Sequence, residues 1–322
     1  MILLAVISPH VTELRLAKSD GGEGGLASVS SYRSDSLDNA EEMEGAILEF
    51  LEGSKEPPRA AAVCQLPPIP GKTEEEEHVS RAALKAMLAT DRVLTTTPAA
   101  AVAKSVACGC MGEPDVPGKT RGPRVVIHAQ ERLDAAMALD GKGIPRSLPL
   151  PLADPVYAEP TQLDFLCYLC GSMENPTVGD VLSSEGVQMM YAYLRDQIGY
   201  HEPAWMARLV RHSGGVMQAL RSCVESDQRT CRLAAATARL LGSLLRTEAV
   251  NTAVRAGAKT GAVLCGGMVE TAAAASDPGW PRNRCDGSEP RRNLLPFLPV
   301  RAPERCTRID GLNRLAAEEL VD

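Results

Sequence analysis

Residues 246–275 read RTEAVNTAVRAGAKTGAVLCGGMVETAAAA, and the punctuation of this stretch sets the fold class. A long helical pattern ends near Gly257. The run Ala262-Val263-Leu264-Cys265 reads as a short buried strand. Gly266-Gly267 follows, and a new helix starts at Met268. A strand that leaves through glycines into a helix is an α/β signature. Such glycines let backbone approach a ligand closely, and the helix N-terminus beyond them favours an anion. The same pair also suits a tight strand-to-helix turn with no ligand, and both readings stand at this point.

Upstream, four helical stretches are predicted over 162–173, 184–198, 204–225 and 228–256. A last strand is expected over 295–300 and a terminal helix over 308–320. The N-terminal third opens with an apolar strand over 2–7 and a half-exposed strand over 12–18. A third strand follows over 26–32. A helix opened by Asp38 or Asn39 carries Met43, Ile47, Leu48 and Leu51 on one face. Then come a strand over 60–66 and a helix from the acidic run 74–77 to about Ala89. A strand over 92–96 and a helix over 99–107, opened by Pro98, complete this part. Residues 109–122 are rich in Gly and Pro and read as a linker. After them the hairpin pattern returns, over 124–128 and 133–139. A strand hairpin followed by helices and strands thus occurs twice. The expectation is two related α/β domains with a cleft between them. Residues 1–110 plus 308–322 form the first and 111–307 the second.

Hydrophobic residues make up 44% of the 322 and aromatics only 3%, so the core is aliphatic. The net charge of −7 and pI of about 5.4 argue against nucleic acid as a partner. No apolar run reaches membrane-spanning length. No basic leader precedes the first strand, so an intracellular location, cytoplasm or organelle matrix, is expected. The ten cysteines lack the density of a disulfide scaffold.

Several motifs are set aside on spacing. Pro-Gly-Lys-Thr occurs at 70–73 and at 117–120, but a phosphate-binding loop needs glycine where Leu66 and Glu113 stand. Cys108, Cys110, Cys167 and Cys170 hold the residue types of a thiolate metal site. Cys167 and Cys170 sit beside Phe165, Leu166 and Leu169, so they are assigned to core packing. No metal site is expected. The histidines, His10, His78, His128, His201 and His212, show no metal spacing. Neither a Gly-x-Ser-x-Gly elbow nor a paired Cys–His motif is visible.

The order of elements resembles the bacterial-type glucokinase family over nearly the whole chain. The stretch from Ala249-Val250-Asn251-Thr252 through Gly261 to Gly266-Gly267-Met268-Val269 is similar to that family's long helix, strand and Gly-Gly adenosine motif. The run Val181-Leu182-Ser183-Ser184-Glu185-Gly186 with Tyr191 resembles its Val-Leu-Ser-Gly-Pro-Gly helix start. Thr12 with Arg15-Leu16-Ala17 resembles the second strand of its first hairpin. The resemblance implies an actin-like, ribonuclease H-like pair of α/β domains closing on ATP, magnesium and glucose. It places nucleotide contacts at Thr12, Gly261, Gly266 and Gly267, and substrate contacts at Thr97 and Asp154.

The departures from the family are as informative. Its first phosphate loop is Asp-Gly-Gly-Thr; here Ser8, His10, Val11 and Thr12 hold those places. Its second is a Gly-Thr-Gly turn; here Gln130-Glu131-Arg132 stands. Its catalytic Asp, which takes the proton of the attacking sugar hydroxyl, falls in Thr95-Thr96-Thr97-Pro98, where no carboxylate is present. Its sugar-binding Glu and His fall at Pro151 and Asp154, and a further sugar-binding Glu at Gly179. The expectation is a structural or regulatory subunit with no catalytic residue, weak or absent binding of ATP and magnesium, and another protein or larger complex as partner. The alternative is an active ATP-dependent glucokinase with displaced catalytic groups, binding ATP and hexose.

Overall fold

A computed structural model describes residues 1–8, 11–19, 26–34, 40–53, 56–65, 79–107, 122–130, 132–138, 145–225, 231–258, 260–276, 280, 300–301 and 308–320. The chain divides into two compact units. The first comprises Met1–Glu113, Gly141–Ser147 and Arg305–Asp322, and the second Pro114–Asp140 and Leu148–Glu304.

The first unit opens with strands β1 (Ile2–Ser8), β2 (Val11–Ser19) and β3 (Leu26–Ser34). Helix α1 (Ala40–Glu52), β4 (Ala60–Gln65), α2 (Arg81–Leu88), β5 (Val93–Thr96) and α3 (Pro98–Ala107) follow. The sheet order is β3-β2-β1-β4-β5. The β1–β2 and β2–β3 pairs are antiparallel, and β1–β4 and β4–β5 are parallel.

Strand β1 shows why both sheet faces are covered. Its side chains alternate with period two. Leu3, Ala5 and Ile7 join Met43, Ile47 and Leu84 of α1 and α2 in one cluster. Ile2, Leu4 and Val6 join Ala101 of α3 and Leu312 and Ala316 of the terminal helix α11 (Arg308–Glu319) in another. The sequence of β1 is therefore an unbroken apolar run rather than an alternation. Helix α11 sits close against α3: a Cβ at Gly311 would overlap the Ala101 carbonyl. The Lys104 ammonium, fully buried, donates to Glu318 Oε2 at 2.5 Å.

The second unit contains β6 (Arg124–Ala129) and β7 (Leu133–Ala138); the two-residue β8 (Arg146–Ser147) lies in the segment Gly141–Ser147 of the first. A 3-10 turn spans Leu150–Leu152. Helices α4 (Pro160–Cys170), α5 (Val178–Val181), α6 (Ser184–Asp196), α7 (Ala204–His212), α8 (Val216–Glu225) and α9 (Arg232–Arg255) follow. Then come β9 (Ala262–Cys265), α10 (Gly267–Ala274) and β10 (Val300–Arg301). Its strands are ordered β10-β9-β6-β7. Strand β9 lies between parallel partners β6 and β10, which is why all four of its residues are buried. Its core is aliphatic, with Leu240, Leu241, Leu244 and Leu245 of α9 packed with Val125, Ile127 and Leu264.

The structure corrects four expectations. The helix read over 204–225 is two helices, because Gly214 adopts φ +79° and breaks it between α7 and α8. Leu48 is 45% exposed on α1, while Met43 and Ile47 are buried as expected. Cys167 and Cys170 are exposed on α4; Phe165 and Leu169 take the buried positions of that helix. The short helix α5 is an addition, held by a reciprocal Thr177–Asp180 capping box. The expected linker over 109–122 and the acidic helix start at 74–77 lie outside the described residues, apart from Gly122. Of the strand expected over 295–300, Val300 alone is described, and it opens β10.

Candidate functional site

In the second unit the Gly266-Gly267 turn lies at the C-terminal end of β9, where α10 begins. Gly266 has φ +102°, a region that disfavours any side chain. Its carbonyl accepts from the backbone N–H groups of Val269 and Glu270 at 3.0 and 3.1 Å. A Cβ at Gly266 would overlap the Ala129 carbonyl, and one at Gly267 would overlap the Arg221 guanidinium from α8. Gly266 thus has an internal reason to be glycine, in its φ and the Ala129 backbone, whereas the Arg221 side chain over Gly267 can swing aside. The Arg221 cation also stands over the helix N-terminus, where the dipole favours an anion.

Gly261, the third glycine assigned to the nucleotide, is at the opposite end of β9. It too has φ +102°, and its carbonyl accepts from Val125 N at 3.1 Å. At roughly 3.3 Å per strand residue, Gly261 and Gly266 lie about 16 Å apart. The turn between β6 and β7 is closed by the Gln130 N–H donating to the Arg132 carbonyl at 3.3 Å; Glu131 lies outside the described residues.

The register across this sheet reveals a row that the sequence hides. His128 pairs with Asp134 on β7 and with Cys265 on β9. The three are 3%, 4% and 4% exposed. They lie on the sheet face opposite Ile127 and Leu264, since alternate strand residues face opposite sides. The hairpin turn at 130–132 implies the 128–134 pairing, but nothing local links either residue to 265. The Cys265 thiol donates to the Ile127 carbonyl at 3.5 Å. Among the described residues no group of three His, Cys, Asp or Glu is placed to hold a metal ion. A magnesium ion carried on a nucleotide needs only one or two carboxylates beside the phosphates.

The positions aligned with the sugar clamp are brought together in part. Gly179 on α5 sits against Pro151, and a Cβ at Gly179 would lie 2.7 Å from the Pro151 carbonyl oxygen. Val178 N donates to the Ala153 carbonyl at 2.8 Å and draws α5 onto the same loop. Asp154 has an exposed side chain, and its backbone carbonyl accepts from Arg255 Nη2 at 3.3 Å. Beside it, Asn251 Nδ2 donates to the Val156 carbonyl at 3.0 Å. Beyond these two contacts along α9, Tyr157 and Glu248 are buried, 7% and 0% exposed. Burial pushes the Glu248 carboxyl up to about 7, against the smaller opposing effect of the Arg255 charge. Burial likewise raises the Tyr157 phenol, with the Glu248 charge adding to it. The sequence gives no sign of this carboxyl, which is one Glu in a helix of ordinary composition.

In the first unit Thr97, in the stretch 95–98 that the resemblance matches to the Asn-Asp pair, caps α3. Its hydroxyl accepts from Ala100 N at 3.3 Å and its carbonyl from Ala101 N at 2.9 Å. Thr12 pairs with Ile7 and Ser34 in the sheet, at the β1–β2 end where Ser8 pairs with Val11.

In sequence the chain matches no protein-family profile and no curated protein. Solved structures do match it in shape. A glucokinase from Balamuthia mandrillaris in complex with glucose aligns with a TM-score of 0.69 at 12% identity, covering 98% of this chain and 93% of that one. A glucokinase from an Antarctic psychrotroph gives 0.62 at 14% identity, covering 98% of each chain. A ROK family glucokinase from Streptomyces griseus, in complex with glucose and AMPPNP, gives 0.60 at 14% identity, again covering 98% of each. Identities this low carry the architecture and not the chemistry. The chain has the two-domain, actin-like α/β fold of the glucokinases and related sugar kinases.

Proposed function

We propose that this chain is a divergent glucokinase-type protein that does not transfer phosphate to glucose and acts as a structural or regulatory subunit of a larger protein assembly. The observation that carries the reading is Thr97. It lies in the stretch Thr95–Pro98 where the resemblance calls for a general base and no carboxylate is present, and its hydroxyl is committed to capping α3. A neutral hydroxyl is no base for the sugar proton, and loss of a general base alone is worth roughly 10²–10⁴ in rate.

Other positions support the same reading. Gly179, aligned with a sugar-binding Glu, is pressed against the Pro151 backbone and leaves no room for a side chain. Asp154 is the one acidic group on that loop, and its side chain is exposed. Nucleotide contact in this reading falls to Gly266, Gly267 and Thr12, with Gly261 holding the far end of β9. The Arg221 guanidinium over Gly267 must move before an adenosine reaches the turn. When bound, ATP with magnesium would supply the transferable phosphoryl group; this chain's own contribution is restricted to backbone contacts, and the affinity is weak.

Thermal-shift titration tests the binding side. Glucose produces no shift, and ATP with magnesium produces one at millimolar concentration at most. A shift implying micromolar affinity for either would overturn the proposal and favour a working kinase.

A further inference from the structure

Residues 148–158 run from β8 past the 3-10 turn and lie along the last turns of α9 as a strap. Three contacts hold it to α9. Asn251 Nδ2 donates to the Val156 carbonyl, Arg255 Nη2 donates to the Asp154 carbonyl, and Tyr157 is buried against Glu248. Glu248 is the deepest group under the strap, with no exposed surface. Neither of its oxygens, nor the Tyr157 hydroxyl, has an aligned hydrogen bond among the described residues. The Val156 N–H, the Tyr157 hydroxyl and the Asn251 amide nonetheless face the carboxyl. A charge here would be dry and poorly satisfied, whereas a neutral carboxyl is tolerated.

We propose that Glu248 is a protonation latch for this strap: neutral, it lets Tyr157 and Val156 close over α9, and ionised, it drives the strap off to reach water. The strap is the cover that yields, because the other walls are packed helices and the sheet. The charged or titratable groups acting on Glu248 are Tyr157 on the strap and Arg255 on α9 itself. Other such groups on the packed elements are engaged elsewhere. Glu159 accepts from Ser243, and Asp164 of α4 acts on Tyr193. Tyr191 of α6 donates to Glu202, Arg221 of α8 stands over Gly267, and Glu270 of α10 is exposed.

The direction follows from the two protonation equilibria. With the strap closed, the carboxyl holds its proton up to about pH 7, against an ordinary value of 4.5 when it is open to water. Opening therefore grows more favourable as pH rises between those two values, about tenfold per unit, and levels off above the higher one. The latch concerns the loop bearing Pro151 and Asp154, but it holds whether or not that loop binds a sugar. The assay of kinase turnover and the test below can fail separately.

Hydrogen exchange of the full chain, corrected for the intrinsic rate, reads the latch at the amides of 153–158. Protection of Val156 and Tyr157 falls by roughly tenfold or more from pH 5 to pH 7 and changes little from pH 7.5 to 8.5. In Glu248→Gln the protection stays high and flat. A flat wild-type profile, or an unchanged slope in the variant, would overturn the proposal. Carboxyl ¹³C titration of the wild-type protein needs no variant to fold. A midpoint near 7 for Glu248 supports the latch, and one near 4.5 defeats it.

Discussion

Gly179 lies with its Cα against the carbonyl of Pro151, so close that a Cβ would sit 2.7 Å from that oxygen. The backbone of one sugar-clamp position has taken the space that the side chain of another would need. Restoring the carboxylate by Gly179→Glu therefore forces α5 from the 3-10 turn. The expected result is a destabilisation of roughly 1–3 kcal/mol by urea denaturation, with no gain of glucose binding. Unchanged stability would show that the loop has room to accept the acid.

Stability carries the Glu248 signature as well. Its folded-state value of about 7 lies above the unfolded 4.5, so the folded protein binds the proton more tightly. That contribution is intact below about pH 4.5 and is lost as pH rises to 7. The full loss by pH 8 is about 3 kcal/mol. Glu248→Gln removes this slope and is the more stable protein at pH 8, by about 2 kcal/mol. Parallel pH–stability curves for the two would contradict it.

Besides its apolar packing, the terminal helix supplies a carboxylate to one buried charge. Lys104 has no exposed side-chain surface, and Glu318 is 32% exposed. Removing the acid by Glu318→Ala takes one charge partner from a fully buried ammonium and costs roughly 2–3 kcal/mol, whereas Lys104→Met is close to neutral. Equal losses from both changes would show that the pair itself, rather than the burial of the ammonium, is what matters.

The exposure of Cys167 and Cys170 yields a chemical prediction. A maleimide reagent followed by peptide mapping labels these two many times faster than Cys64, Cys231 and Cys265, which are buried. Slow labelling of the α4 pair would return them to a core.

These cases mark what the sequence could disclose. The β1, β4 and β9 strands were legible as apolar runs because each has a partner on both sides and cover on both faces. Helix α11 was legible from its own periodicity, though its seat on α3 depends on Gly311 and Lys104, which no local pattern announces. The Gly266-Gly267 turn was visible as punctuation. Its neighbours Ala129 and Arg221 come from β6 and α8, so the internal reason for Gly266 appears only in three dimensions. Cys167 misled because Phe165, Leu166 and Leu169 surround it in sequence, while helical phase turns it outward. Glu248 was invisible for the opposite reason: a polar residue on a buried helix face looks like any exposed one until Tyr157 is laid over it.

Thr97 allows the central claim to be tested without damage to the fold. Aspartate is as good a helix cap as threonine, so Thr97→Asp keeps α3 capped while placing a carboxylate in the stretch 95–98 matched to the base. The measurement is glucose 6-phosphate formation by wild type and Thr97→Asp, with ATP, magnesium and glucose, in a coupled assay. The expected result is no turnover above background in either protein, because the phosphate turn at 130–132 and the clamp at Pro151 and Gly179 are altered as well. Wild-type turnover that is abolished by changing Asp154 would show a relocated active site and contradict the account.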